Sequence, residues 1–109
     1  MKLLDQKPQW LIYADRRIGF VFVSPTDPTY YQAVVFEQTP RHVQATLCEA
    51  MFGIPYRVQF ARPDFAWTCV SHADLEQADF DTLTVSPSVD GSAGGLWHGW
   101  IRDGQIVFL

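Results

Sequence analysis

The stretch WHGWIRDGQIVFL, Trp97 to Leu109, decides the fold class of this chain. Two β-rich runs, Trp97 to Ile101 and Gln105 to Leu109, flank Arg102-Asp103-Gly104. Asp-Gly between such runs marks a β-hairpin, because glycine takes up the positive φ of a tight turn without steric cost. Alternation along the first run puts Leu96, His98 and Trp100 on one face and Trp97 and Gly99 on the other.

Upstream, Gly91 to Gly95 (GSAGG) reads as a flexible bend, and Ser86-Pro87-Ser88 ends a short β pattern at Leu83 to Val85. Ser71 to Asp81 (SHADLEQADFD) is acidic and poor in β-branched residues. It reads as a loop or one helical turn starting near Ser71 or His72. Phe65 to Val70 and Tyr56 to Ala61 read as strands, the second with one face buried. Trp10 to Tyr13 and Ile18 to Val23 form a further strand pair around Ala14-Asp15-Arg16-Arg17, with Gly19 at a bend or bulge. Two prolines make Ser24 to Thr29 a loop, and Tyr30 to Gln38 is rich in β-formers.

The period changes once. Thr39 and Pro40 form a helix start, followed by an apolar stripe at Val43, Leu47, Ala50 and Met51 and closed by Gly53 and Pro55. The expected architecture is therefore α+β, mainly β. It is a single small antiparallel sheet or partly open barrel, with one helix at about 40–52 and a C-terminal hairpin.

The totals agree. A chain of 109 residues, 48% hydrophobic and 15% aromatic, can bury one modest core without staples and is expected to form a single domain. A net charge of −4 does not neutralise phosphates, so direct binding to nucleic acid is not expected. Such a surface can instead meet a basic protein patch, including one that normally holds nucleic acid. No apolar run reaches the roughly 18 residues of a membrane span. The start, MKLLDQKPQW, lacks the pattern of a secretory signal. The expected compartment is the cytoplasm, with no membrane partner and with Cys48 and Cys69 as free thiols.

Chemistry-bearing patterns are sparse. Cys69-x-x-His72 has metal-ligand spacing, but further zinc ligands would have to come from His42, Cys48 or His98, which have no knuckle spacing. A lone histidine in a strand, such as His98, is commonly hydrogen-bonded packing. It is also a candidate catalytic base, with Asp90 or Ser88 as its partner. Asp74, Glu76, Asp79 and Asp81 interleave with Leu75, Ala78 and Phe80 and include no Lys or Arg between them, a mixture suited to docking on a basic surface with an apolar anchor.

The segment Phe80 to Asp90, then Ser92, then Trp97 to Ile101 resembles a family of small uncharacterised phage and prophage proteins. Their C-terminal signature is close to FETLTLSPSVDASASGHWHGFI. The front half, Pro8-Gln9-Trp10-Leu11 and Ile18 to Pro25, matches more loosely. The resemblance implies a zinc-like motif, C-P-x-C after the second strand plus H-W-H near the C-terminus. It is degenerate here: Ser24, Asp27 and Leu96 stand at three of the four ligand positions and only His98 survives. The resemblance thus leaves no metal and no cofactor expected, with aromatic packing and the 40–52 helix replacing the metal's contribution to folding.

The leading expectation is a non-enzymatic, phage-type accessory protein. It would bind a host or phage protein, as an inhibitor of a host defence system, through Asp74, Glu76, Asp79 and Asp81 with Tyr30, Tyr31 and Phe80 as anchors. The first alternative is a minor virion or assembly protein whose exposed hairpin edge pairs with neighbours. The second is a small hydrolase using His98.

Overall fold

The computed structural model describes residues 1–37, 57–59 and 66–109. The helix expected at 40–52, with His42 and Cys48, lies outside the described residues.

The architecture is mainly β, as expected. Strands β1 (Gln9–Tyr13), β2 (Arg16–Val23), β3 (Tyr30–Val35) and β4 (Arg57–Gln59) form one sheet in that order. Its pairings are antiparallel apart from β3 with β4, which run parallel. Strands β5 (Thr68–Cys69) and β6 (Val85–Ser86) make a two-stranded sheet, and β7 (Val89–Asp90), β8 (His98–Arg102) and β9 (Gln105–Phe108) a three-stranded one.

The strands thus divide among three hydrogen-bonded sheets where the sequence pattern indicated one. Ser86-Pro87-Ser88 explains part of the division. Proline offers no N–H to a ladder, so β6 ends beside it and β7 begins on a new sheet. A parallel bridge, Phe36 with Trp67, ties the first sheet to the segment leading into β5. Among the described residues no helix is long and apolar enough to cross a membrane.

Both hairpins follow from local backbone chemistry. β8 and β9 join through Asp103 (φ 49°) and Gly104 (φ 71°), both in the positive-φ region that the primed two-residue turn demands. Gly104 is doubly constrained, because a Cβ there would also collide with the carbonyl of Asp81. β1 and β2 join through Ala14 (φ 49°) and Asp15 (φ 63°), so the turn is two residues long, not the four of Ala14 to Arg17. The ladder pairs Leu11 with Gly19 but Ile12 with Arg17, leaving Ile18 as the bulged residue beside Gly19.

The acidic segment forms a 3-10 turn, Leu75–Gln77. Its cap is Asp74, not Ser71 or His72, because the Asp74 carboxylate accepts from the Glu76 N–H at 3.0 Å. The glycine-rich bend closes as a second short 3-10 turn, Ser92–Gly94, ended by Gly95.

One main core lies between the sheets. Phe20, Phe22 and Val34 from the first sheet, with Phe36 just after β3, meet Val85, Val89, Ile101 and Ile106 from the other two and Trp67, Leu83 and Trp97 from the segments beside them. Trp97, 1% exposed, stands edge-on to Phe22 at 5.8 Å between centroids. Val21, Val23, Tyr31 and Ala33 form a second buried cluster and Ile18 with Val35 a third, so β2 and β3 are buried on both faces. Full burial of each such side chain contributes about 1.5–3 kcal/mol.

Candidate functional site

The acidic segment is built as a ridge. Leu75 and Ala78 are buried and join the main core. Phe80 is half-buried and stacks on Trp10 at 4.4 Å with an interplanar angle of 18°. Asp74, Glu76, Asp79 and Asp81 are exposed. The apolar members therefore fasten the segment down and leave the four acidic residues exposed.

Arg17, from β2, clamps this ridge. Its Nη1 donates to the carbonyls of Leu75 (3.0 Å) and Ala78 (2.8 Å), and its guanidinium carbon lies 4.5 Å from the centre of the Trp10 ring. Glu76 accepts from the Arg17 backbone N–H at 2.7 Å and its other oxygen stands 3.9 Å from Arg17 Nε. Asp79 accepts from both the N–H and the hydroxyl of Thr82, each at 3.0 Å. Three of the four carboxylates thus hold the fold locally. Asp81 alone makes no side-chain hydrogen bond or ion pair among the described residues.

The expected aromatic anchors divide. Tyr30 is half-buried, whereas Tyr31 is 2% exposed and its ring belongs to the second core cluster. Tyr31 is therefore closed to a partner, because both faces of β3 are covered along its length. Phe80 is committed to the Trp10 stack, so it serves the ridge's stability before any contact with a partner.

Among the described residues the positions of the degenerate zinc motif meet different groups. Ser24 is 1% exposed, with its hydroxyl 3.4 Å from that of Thr26. Asp27 accepts from the N–H and hydroxyl of Thr29 at 3.0 and 2.6 Å. Leu96 is buried at 7% exposure. Among the described residues no group of three or more His, Cys, Asp and Glu is placed to hold a metal ion. Cys69 and His72 are linked through Ser71, whose hydroxyl lies 3.7 Å from the Cys69 sulfur and 2.8 Å from His72 Nδ1. They sit on an open cleft of about 760 Å³ that Tyr13, Arg16, Arg17 and Glu37 also line.

His98 meets different groups. β7 and β8 pair Asp90 with His98 across the ladder. His98 Nε2 lies 3.3 Å from the Ser88 hydroxyl and Nδ1 lies 3.8 Å from Asp90 Oδ1. The His98 side chain is 28% exposed, so the ring is neither sealed in the core nor isolated. Sequence reasoning named all three residues and left open which of them meet. It missed Arg17, whose ridge contacts span 58 to 61 residues and leave no local signal.

The expected open edge of the C-terminal hairpin is partly taken. Lys2 bridges Gln105, and the N–H of Ile106 donates to the carbonyl of Met1 at 2.7 Å. Phe108 and Leu109, beyond that contact, are 50% and 74% exposed. No family model, no curated protein and no solved structure matches this chain.

Proposed function

We propose that this chain is a phage-type accessory protein that binds a basic surface of another protein through the ridge Asp74 to Asp81, with inhibition of a host defence system as its role. The observation that carries the reading is the construction of the ridge. Its four acidic residues are exposed on a segment already fixed by the core, the Arg17 clamp and two Asp caps, and the Asp81 carboxylate has no partner among the described residues. A segment fixed in advance loses little conformational entropy on binding, which favours affinity without a large apolar contact. The chain's net charge of −4 adds long-range attraction to a cationic groove. The resemblance of the segment Phe80 to Ile101 to phage and prophage proteins supports the source of such a binder.

Capture of partners from a host-cell lysate at rising ionic strength tests this. The unaltered protein retains a basic partner that salt progressively releases, since exposed charges are screened over about 8–10 Å. Asp81→Lys loses that partner while keeping native tryptophan fluorescence. Retention that survives both high salt and charge reversal at Asp81 overturns the proposal.

A further inference from the structure

We infer that Ser88, His98 and Asp90 form an acyl-transfer centre that hydrolyses small carboxylate-bearing esters bound in the groove beside Ser88. The juxtaposition follows from strand geometry. Val89, 1% exposed, faces the core, so Ser88 and Asp90 on either side of it face outward together. The ladder then sets His98 directly opposite Asp90. The ring nitrogens are assigned as nucleophilic catalysis requires: Nε2 faces the hydroxyl and Nδ1 faces the carboxylate. At 3.3 and 3.8 Å the contacts are longer than a working proton relay, as unliganded sites commonly are before substrate tightens them.

Ser88 and Asp90 are each held from behind. The Ser88 carbonyl accepts from the indole N–H of Trp67 at 3.2 Å, and Trp67 is 4% exposed. The Asp90 carboxylate accepts from the N–H and hydroxyl of Ser92 at 2.9 and 2.6 Å.

Ser88 also lines an open groove of about 470 Å³ with Val70, Thr84, Trp100 and Arg102. Arg102 lies over the Trp100 ring, its guanidinium carbon 4.9 Å from the ring centre, which presents a cation on the groove wall. Val70, 60% exposed, gives that wall an apolar patch. A short acyl chain ending in a carboxylate matches this pairing of a cation and apolar surface.

In the first half-reaction the Ser88 oxygen bonds to the ester carbonyl carbon as its proton passes to His98 Nε2. The bond from that carbon to the alcohol oxygen breaks, and the departing alkoxide takes the proton from His98. Water then bonds to the acyl carbon, giving its proton to His98. The Ser88 oxygen–carbon bond breaks, His98 returns the proton to Ser88, and the carboxylic acid leaves. Asp90 acts as a positioning residue, holding the imidazole in the tautomer that keeps Nε2 free to accept.

Two measurements test the centre, and neither depends on the acidic ridge. A fluorophosphonate probe, followed by intact mass and peptide mapping, labels Ser88 in the unaltered protein and in Asp81→Lys. It does not label Ser88→Ala. Hydrolysis of 4-nitrophenyl hemisuccinate falls roughly 100-fold or more in Ser88→Ala and His98→Gln. Asp90→Asn lowers kcat with KM unchanged, and Asp90→Glu restores part of it. Arg102→Gln raises KM for the hemisuccinate ester and leaves KM for 4-nitrophenyl acetate as it was. Absence of label on Ser88, or hydrolysis undiminished in Ser88→Ala, overturns the inference. Loss of partner capture in Asp81→Lys with labelling intact separates it from the binding role.

Discussion

Strands β2–β3 and strands β7–β8 bury their residues differently, and the difference decides which polar groups reach water. From Ile18 to Val23 and from Tyr31 to Phe36 every residue is buried, so polar groups there are locked in place. Gln32, 3% exposed, spends its amide N–H on the Trp97 carbonyl at 3.1 Å, and Ser24 is buried at the end of β2. Along β7 and β8 burial alternates instead. Val89, Gly99 and Ile101 face inward, while Asp90, His98 and Trp100 keep contact with water. A sheet covered on both sides supplies rigidity, and one covered on a single side supplies reactive groups on a fixed backbone.

Trp97 joins the two regions and should give the largest effect. Its ring fills the space between Phe22 and Phe108 while its carbonyl receives the Gln32 amide. Trp97→Ala is expected to cost about 3–5 kcal/mol in denaturant unfolding. If the regions share one cooperative core, far-UV circular dichroism and the fluorescence of the remaining tryptophans lose structure at the same midpoint. Separate midpoints would show that the two regions unfold independently.

The clamp between β2 and the ridge comes next. Arg17→Met keeps an unbranched apolar side chain but removes the guanidinium from the Trp10 ring and from the Leu75 and Ala78 carbonyls. About 1–2 kcal/mol of stability should be lost, since a half-buried acceptor that loses a charged donor is only partly repaired by water. Hydrogen exchange checks where the loss falls. Faster exchange confined to residues 74–82 supports the clamp, and uniform acceleration across the sheet argues that Arg17 serves the core at large.

How far these regions were legible in the sequence follows from the range of the interactions. The β8–β9 hairpin was readable because Asp103-Gly104 specifies its own turn. The apolar runs of β2 and β3 showed strands, but not that both faces would be covered, which depends on what packs against them. That is why Tyr31 was expected as an anchor and is interior. The ridge was visible as an acidic segment. Its cap at Asp74 was not, because the direction of Leu75 and Ala78 into the core selects the cap. Ser88, Asp90 and His98 were candidates by type, and the β7–β8 register made them neighbours. The helix expected at 40–52 lies outside the described residues.

The smallest expected effect separates folding from binding within the ridge itself. Asp79 and Asp81 are two residues apart and both exposed, yet only Asp79 holds the Thr82 N–H and hydroxyl. Asp79→Lys removes an acceptor that works as a cap does, so a loss of about 1 kcal/mol is expected. Asp81→Lys removes no such acceptor, and its stability should stay within about 0.5 kcal/mol of the unaltered protein. Both substitutions change the net charge by the same amount. If the ridge recognises a basic surface, both weaken capture alike even though only one weakens the fold. If capture instead tracks stability, with Asp81→Lys binding as before, the ridge is a structural brace and its carboxylates are solvent-facing by default.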